Sequence, residues 1–130
     1  MNNSEIAILL VDDDEMIRDC IGAYLEDEGF MVHYAASGEE ALESIVGIKP
    51  LVCISDMRLS GMSGETFIMQ AKDICPATGF LLHTGMAYTL PDELRAIGMT
   101  PADVLLKPIH ELSTLTRRIA AIVSTGGRQQ

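Results

Sequence analysis

The sequence predicts an α/β domain built around a parallel β-sheet. Five short apolar runs recur along the chain, at residues 6–11, 31–35, 51–55, 79–83 and 104–106. They are apolar throughout rather than alternating, which is typical of strands buried on both faces of a sheet. Amphipathic segments separate them in the order βαβαβαβαβα, and this alternation indicates a parallel sheet with right-handed crossovers.

The first three helices are predicted from helical spacing and from residues that start or end helices. Gly29 ends the first helix, Ser37 and Glu40 form a capping box for the second, and Ser63 or Gly64 opens the third, which Pro76 ends. The residues expected to face the core are Ile17, Cys20, Ile21, Tyr24 and Leu25 in the first helix, Ala41, Leu42, Ile45 and Val46 in the second, and Phe67, Ile68, Ala71 and Ile74 in the third.

The last two helices differ in length. A short fourth helix lies between Pro91 and Gly98, and a fifth begins near residue 111. Residues 124–130 lack an apolar repeat, and we expect this tail to fray. Residues 1–130 are predicted to form one domain with a core over about residues 5–124 and a tail at 125–130.

Composition narrows the function classes. The chain has 9 Lys and Arg against 19 Asp and Glu, a net charge of −10. This field repels phosphate backbones and anionic lipids, which argues against direct nucleic-acid or membrane binding. Cys20, Cys53 and Cys75 form no close pair and are expected to be reduced core thiols. No apolar run reaches the roughly 20 residues of a membrane span and the start is polar, so we expect a cytoplasmic protein.

Charged and hydroxyl side chains stand where the predicted strands end. The first strand is followed by Asp12, Asp13 and Asp14, the third by Asp56, the fourth by Thr84 and the fifth by Lys107. The carboxyl ends of parallel strands meet at one edge of a sheet, where open α/β sheets bind their ligands. The sequence therefore predicts a cluster of carboxylates beside one hydroxyl and one ammonium group.

This cluster suits a divalent cation and phosphoryl chemistry. Crowded carboxylates require neutralisation, and Mg²⁺ is the usual hard cation for oxygen ligands. A carboxylate can attack phosphorus to give an aspartyl phosphate, with Lys107 and Thr84 contacting the phosphoryl oxygens. Ordinary interpretations exist for each residue alone: Asp14 as a helix N-cap, Asp56 as a turn former, Thr84 as a strand-end hydroxyl and Lys107 as a solvated charge.

Four motifs carry a resemblance to a known family. VDDDE after the first strand, DMRLSGMSG around Asp56, HTG at Thr84 and LLKPI at Lys107 resemble the receiver domain of two-component response regulators, in order and over nearly the whole chain. The resemblance implies a flavodoxin-like (βα)5 doubly wound parallel sheet with strand order 2-1-3-4-5.

The resemblance also implies roles for individual residues. Asp56 resembles the phospho-acceptor, and Thr84 and Lys107 resemble the switch hydroxyl and the lysine that contact the phosphoryl group. Asp12, Asp13, Asp56 and the backbone carbonyl of Arg58 resemble the ligands of Mg²⁺. The Lys107–Pro108 bond resembles the cis peptide of the family.

The implied function is signalling rather than metabolic catalysis. A sensor histidine kinase or histidine phosphotransfer protein would donate the phosphoryl group, and the face of the fourth helix, fifth strand and fifth helix would bind a downstream protein. The chain departs from the family pattern at Val104, where many receivers have an aromatic residue, and at Ser60 and Gly85, where Pro and Ala are common.

Two alternatives remain at this point. Val104 favours a receiver-like scaffold that does not switch. The DxD within residues 12–14 resembles, more weakly, the nucleophile motif of haloacid dehalogenases and favours a small Mg²⁺-dependent aspartyl-phosphate phosphatase. His83 is expected to be a core or edge histidine, with contact to the pocket as the alternative. The sequence is consistent with a stand-alone receiver or with part of a longer protein.

Overall fold

The apolar runs form strands. The computed structural model describes residues 2–86, 88–107, 109 and 111–128 of the chain. The predicted cis peptide before Pro108 lies outside these residues. The strands are β1 (Ala7–Val11), β2 (Met31–Ala35), β3 (Val52–Asp56), β4 (Arg58–Leu59), β5 (Met62–Ser63), β6 (Gly79–Thr84) and β7 (Val104–Leu106).

Helices occupy the segments between the long strands. They are α1 (Glu15–Asp27), α2 (Gly38–Ile48), α3 (Gly64–Ile74), α4 (Asp92–Ala96) and α5 (Ser113–Arg128), with 3-10 turns at Asn3–Glu5 and Pro101–Asp103. Among the described residues, no helix has the length and apolarity needed to cross a membrane.

The main sheet is parallel and has the order β2-β1-β3-β6-β7. The two-residue strands β4 and β5 form a separate antiparallel hairpin. Counting only the five strands of the main sheet, the order is the predicted 2-1-3-4-5, and the flavodoxin-like α/β fold is confirmed.

Two apolar clusters cover the two faces of the sheet. Side chains of β1 alternate between them, because successive residues of a strand point to opposite faces. Leu9 and Val11 pack in the cluster that includes residues of α2, α3 and α4, whereas Ile8 and Leu10 pack in the cluster that includes residues of α1 and α5. The central strands are therefore buried on both sides, as their continuous apolarity predicts.

Local capping follows the sequence. The Ser37 hydroxyl accepts from the amide of Glu40 at 3.1 Å, and the Ser63 hydroxyl accepts from Thr66 at 3.1 Å. The Glu40 carboxylate bonds the amide of Ala36, one residue before the position of a strict capping box. Gly29, just after α1, has φ +95, a conformation that glycine adopts without steric cost.

Several predicted core positions are wrong. Cys20 is exposed on α1, because the buried stripe centres on Ile21 and Leu25 and each helical residue is turned about 100° from the last. Val46 on α2 and Ile74 on α3 are also exposed, at the margins of their apolar faces. Cys53 is buried and Cys75 is partly buried.

The last helix is longer than the apolar spacing predicts. α5 runs over Ser113–Arg128, so helical backbone continues past Val123, where the expected fraying tail begins. Hydrogen bonding along the backbone propagates a helix without an apolar stripe once a packed segment has nucleated it.

Candidate functional site

The expected cluster lies at the carboxyl ends of four strands. Asp12 follows β1, Asp56 ends β3, Thr84 ends β6 and Lys107 follows β7. The pairing of Asp56 with His83, and of Thr84 with Leu106, keeps the ends of the three strands level. The parallel register is therefore what brings these residues together from distant parts of the sequence.

Three carboxylates converge at this edge. Oxygens of Asp12, Asp13 and Asp56 lie within 4.8 Å of one another. Asp12 is 1% exposed and Asp56 is 7% exposed, whereas Asp13 faces solvent. The Lys107 ammonium lies 2.7 Å from Asp56 Oδ1 and 3.9 Å from Asp12 Oδ2. One ammonium faces three carboxylates, so the pocket carries excess negative charge.

The surroundings of Asp12 disfavour its charged form. Burial raises the pKa of its carboxyl, and the nearby charges of Asp56 and Asp13 raise it further, against the lowering effects of the Asp14 amide and of Lys107. The Asp14 amide donates to Asp12 Oδ1 at 2.9 Å. A cation beside Asp12 would favour its charged form, because an opposite charge compensates for lost hydration.

The donor set fits a hard divalent cation. All the side-chain groups that converge are oxygens, and the pocket contains more negative charge than Lys107 neutralises. Cations such as Mg²⁺ are bound by one or two carboxylates together with other oxygen ligands. Nitrogen or sulfur ligands that favour zinc do not belong to the cluster that the described residues form.

Asp14 has the structural role expected of it. Its Oδ1 accepts hydrogen bonds from the amides of Met16 at 3.0 Å and Ile17 at 3.4 Å, at the start of α1. Arg18, one turn further along, donates from its guanidinium to the backbone carbonyl of Asp12 at 2.6 Å. The three consecutive aspartates therefore divide into an N-cap and two members of the carboxylate cluster.

Gly64 determines how closely the backbone approaches Asp56, whereas its sequence position indicates only a helix start. The amide of Gly64 donates to the Met57 carbonyl at 2.6 Å. A Cβ on Gly64 would lie 2.3 Å from the backbone oxygen of Asp56 and 3.0 Å from Met57 Cα. The glycines of the DMRLSGMSG motif were the available signal, since close backbone approach requires glycine.

Thr84 ends β6, the strand that pairs with the Asp56 strand β3. Its side chain is buried, and its hydroxyl accepts from the Met86 amide at 3.4 Å. Its carbonyl accepts from the Lys107 amide at 2.7 Å, which ties the ends of β6 and β7 together. The Arg58 guanidinium contacts Met86 Sδ at 3.7 Å, so the residues two positions after Asp56 and Thr84 are in contact.

His83 lies in the sheet one residue before Thr84 and is buried as the core interpretation predicts. Burial, together with the charge of Lys107, lowers the pKa of its imidazole to about 4. Its Nε2 has no hydrogen-bond partner among the described residues. His83 is therefore a neutral core residue near neutral pH.

Comparison with known proteins gives the same family over most of the chain. The family model described as "Response regulator receiver domain" matches residues 8–120. Among curated proteins, the cell cycle response regulator CtrA of Brucella ovis is 31% identical over 116 residues, which are 89% of this chain and 49% of that protein. The transcriptional regulatory protein YesN of Bacillus subtilis is 30% identical over 122 residues, 88% of this chain and 33% of that protein.

The curated relatives are longer proteins, since this chain spans about a third to a half of their length. Solved structures are matched nearly end to end. The chemotaxis response regulator CheY4 of Vibrio cholerae has a TM-score of 0.76 and 30% identity, covering 90% of this chain and 98% of that one. The receiver domain of the hybrid histidine kinase CckA has a TM-score of 0.74 and 27% identity over 90% of this chain and 98% of that one.

A third structure, a CheY-like receiver domain protein from Methanospirillum hungatei, has a TM-score of 0.83 and 25% identity, covering 96% of this chain and 98% of that one. The sheet order, the carboxylate cluster at its carboxyl edge and these matches agree. The chain belongs to the response regulator receiver domain family, whose members are signalling modules.

Proposed function

We propose that this chain is a phospho-accepting receiver of a two-component phosphorelay, in which Asp56 takes a phosphoryl group from a phosphohistidine. The observation that carries the proposal is the position of Asp56, which ends β3 within the carboxylate cluster and 2.7 Å from the Lys107 ammonium. The donor would be a sensor histidine kinase or a histidine phosphotransfer protein.

The three carboxylates are not equivalent as acceptors. Asp12 is the most buried, and the Asp14 amide occupies its Oδ1. Asp13 is exposed and has no ion pair with Lys107. Of the three, only Asp56 is both partly accessible to solvent and paired closely with the Lys107 ammonium, whose charge can compensate the negative charge that the acceptor gains. Its surroundings therefore favour it as the nucleophile.

Transfer of the phosphoryl group exchanges one bond to phosphorus for another. One carboxylate oxygen of Asp56 forms a bond to phosphorus as the nitrogen–phosphorus bond of the phosphohistidine breaks. The departing imidazole nitrogen retains the electron pair and becomes neutral or takes up a proton. Lys107 would then pair with the phosphoryl oxygens, where its fixed charge compensates the charge that the acceptor gains.

Mg²⁺ is the expected cofactor. Asp12, Asp13 and Asp56, with the backbone carbonyl of Arg58, would hold it, as their oxygen chemistry and the excess negative charge support. When bound, it supplies charge neutralisation that lets a phosphoryl dianion approach a carboxylate.

Switching would begin at Thr84. Its hydroxyl is bonded only weakly to the Met86 amide and is free to turn toward a phosphoryl oxygen. Because the Thr84 carbonyl also accepts from Lys107, movement here reaches both the loop after β6 and the end of β7. The exposed side chains of Met86 and Leu106 lie on these segments, next to the face of α4, β7 and α5 that we expect to bind a downstream protein.

A scaffold that does not switch is the second candidate, and Val104 favours it. Val104 is partly buried in β7 and packs against the same apolar cluster as Tyr88. The Tyr88 hydroxyl bonds the Glu65 carboxylate at the start of α3, which ties the loop after Thr84 in place. Position 104 therefore offers no aromatic ring that movement of Thr84 could redirect.

Phosphorylation is tested with a small-molecule acyl phosphate and Mg²⁺, followed by intact-protein mass. We expect a single phosphoryl adduct that requires Mg²⁺ and is absent from Asp56→Asn. Asp14→Asn is the matched control, because asparagine caps a helix as well as aspartate does and the substitution changes one neighbouring charge only. Equal adducts in wild type and Asp56→Asn would contradict the proposal.

The same reaction separates the other candidates. The phosphatase alternative predicts many equivalents of phosphate released from a phosphomonoester, whereas a receiver releases only the phosphate of its own acceptor. A scaffold predicts that amide resonances of α4, β7 and α5 stay unchanged on phosphorylation. A switch predicts that the amide resonances of these elements shift on phosphorylation. Thr84→Ala should reduce these shifts and still form the phosphoryl adduct.

A further inference from the structure

The net negative charge of the chain comes from its first fifty residues. Residues 1–50 carry twelve acidic and two basic residues, whereas residues 51–130 carry seven of each. The first segment contains α1, β2 and α2, and both helices pack on β2. Asp12, Asp13 and Asp14 belong to the carboxylate cluster and the cap of α1, and the rest of residues 1–50 still has nine acidic residues against two basic ones.

β2 is an edge strand of the main sheet, with one side unpaired among the described strands. It pairs only with β1 among the described strands. The Met31 amide donates to the Ile6 carbonyl, and the Ala35 carbonyl accepts from Asp12. Alternate residues of a parallel strand face the same neighbour, so Val32 and Tyr34 direct their backbone N–H and C=O groups outward.

This edge lacks the usual protection against strand addition. Natural edges carry lysine, proline, a bulge or very short length, whereas β2 has five residues of sequence MVHYA with neither charge nor proline. Met31 is 51% exposed and Tyr34 is 40% exposed. By contrast, the opposite edge strand β7 has only three residues.

Acidic side chains lie beside β2 on both helices that pack on it. On α1, the Glu26 carboxylate accepts a hydrogen bond from the Tyr34 hydroxyl, and the exposed Asp19 lies two turns earlier on the same face of the helix. On α2, the Glu40 carboxylate accepts from the amide of Ala36, the residue after the strand. A second copy of this chain would bring the same charges face to face. A basic segment would instead meet complementary charge on both sides of the strand.

We propose that the β2 edge binds an extended basic segment of a partner protein by strand addition. Backbone hydrogen bonds to Val32 and Tyr34 would provide affinity, the exposed Met31 and Tyr34 side chains would provide apolar contact, and the surrounding carboxylates would select lysine and arginine. This surface is separate from the phosphoryl site and does not depend on it.

The test uses a twelve-residue peptide of alternating lysine and valine, titrated into isotope-labelled full chain. We expect amide shifts centred on Val32 and Tyr34 and no binding of a matched glutamate–valine peptide. Val32→Pro removes one outward N–H and leaves the ladder to β1 intact, and should weaken binding about tenfold or more. Met31→Lys, on an exposed position, provides a second variant if the proline variant unfolds.

Charge is tested separately. Asp19→Lys with Glu26→Lys should weaken binding several-fold, whereas Glu93→Lys on α4, with the same type of charge reversal, should change it little. Binding that Val32→Pro and Met31→Lys both leave unchanged, or shifts centred on another face, would overturn the proposal. A wild-type dimer in sedimentation that Val32→Pro dissociates would also overturn it, by assigning the edge to a second copy.

Discussion

Gly64 offers a quantitative test of how the backbone beside Asp56 is held. Substituting alanine places a Cβ 2.3 Å from the Asp56 carbonyl oxygen, and real Cβ contacts stay beyond 3.0 Å. The shortfall of about 0.7 Å must be relieved by backbone movement, since neither the Asp56 carbonyl nor Met57 Cα is the end of a flexible side chain. Overpacking of this kind costs roughly 2 kcal/mol.

Urea unfolding measures this cost. A loss of roughly 2 kcal/mol lowers the midpoint by about 1 M for a chain of this size. Gly47→Ala is the matched control, because a Cβ there meets nothing within 4 Å on α2, and alanine should raise stability by up to about 1 kcal/mol. We also expect Gly64→Ala to slow adduct formation at Asp56. Equal midpoints for the two variants would refute the steric argument.

Three further predictions concern titratable groups in or beside the core. The pKa of His83 is lowered to about 4 in the folded chain, so the unfolded chain takes up this proton at higher pH than the folded chain does. The free energy of unfolding should therefore fall by about 3 kcal/mol as the pH decreases from about 6.5 to 4. His83→Leu should remove this part of the pH dependence in urea unfolding. Lys107→Met leaves Asp56 without its cation and should cost about 3 kcal/mol at neutral pH without divalent ions, with partial recovery in Mg²⁺ measured by thermal unfolding. Asp103→Ala removes a buried carboxylate that pairs with Arg118 at 2.6 Å and should cost about 3 kcal/mol in urea unfolding.

Each of these has a contradicting result. A His83→Leu profile parallel to that of wild type would mean that the imidazole titrates normally. Unchanged stability of Lys107→Met would mean that Asp56 is well hydrated. Asp103→Ala should be compared with Asp73→Ala, an exposed carboxylate on α3, and equal effects would exclude a structural ion pair between α5 and the segment before β7.

The sequence predicts the framework of the site because strand ends are local features. Each apolar run ends at a polar residue, and parallel pairing then places Asp12, Asp56, Thr84 and Lys107 at one edge. Asp14 as an N-cap is also predictable, because the cap and the amides that it bonds lie within three residues.

Features that depend on packing between distant segments could not be predicted. The contact of Gly64 with the Asp56 carbonyl arises only when α3 folds back over β3. The exposed Cys20 shows that helical spacing gives a stripe but not its width, which neighbouring elements set. The bond between Tyr88 and Glu65, 23 residues apart, has no local signal.

Whether Asp56 is the phospho-acceptor is tested most directly by locating the phosphoryl group chemically. After reaction with an acyl phosphate and Mg²⁺, borohydride reduction converts a phosphorylated aspartate to homoserine, which peptide mass analysis assigns to one position. We expect homoserine at residue 56 alone. Homoserine at residue 12 or 13, or a phosphoryl adduct that yields no homoserine, would contradict it.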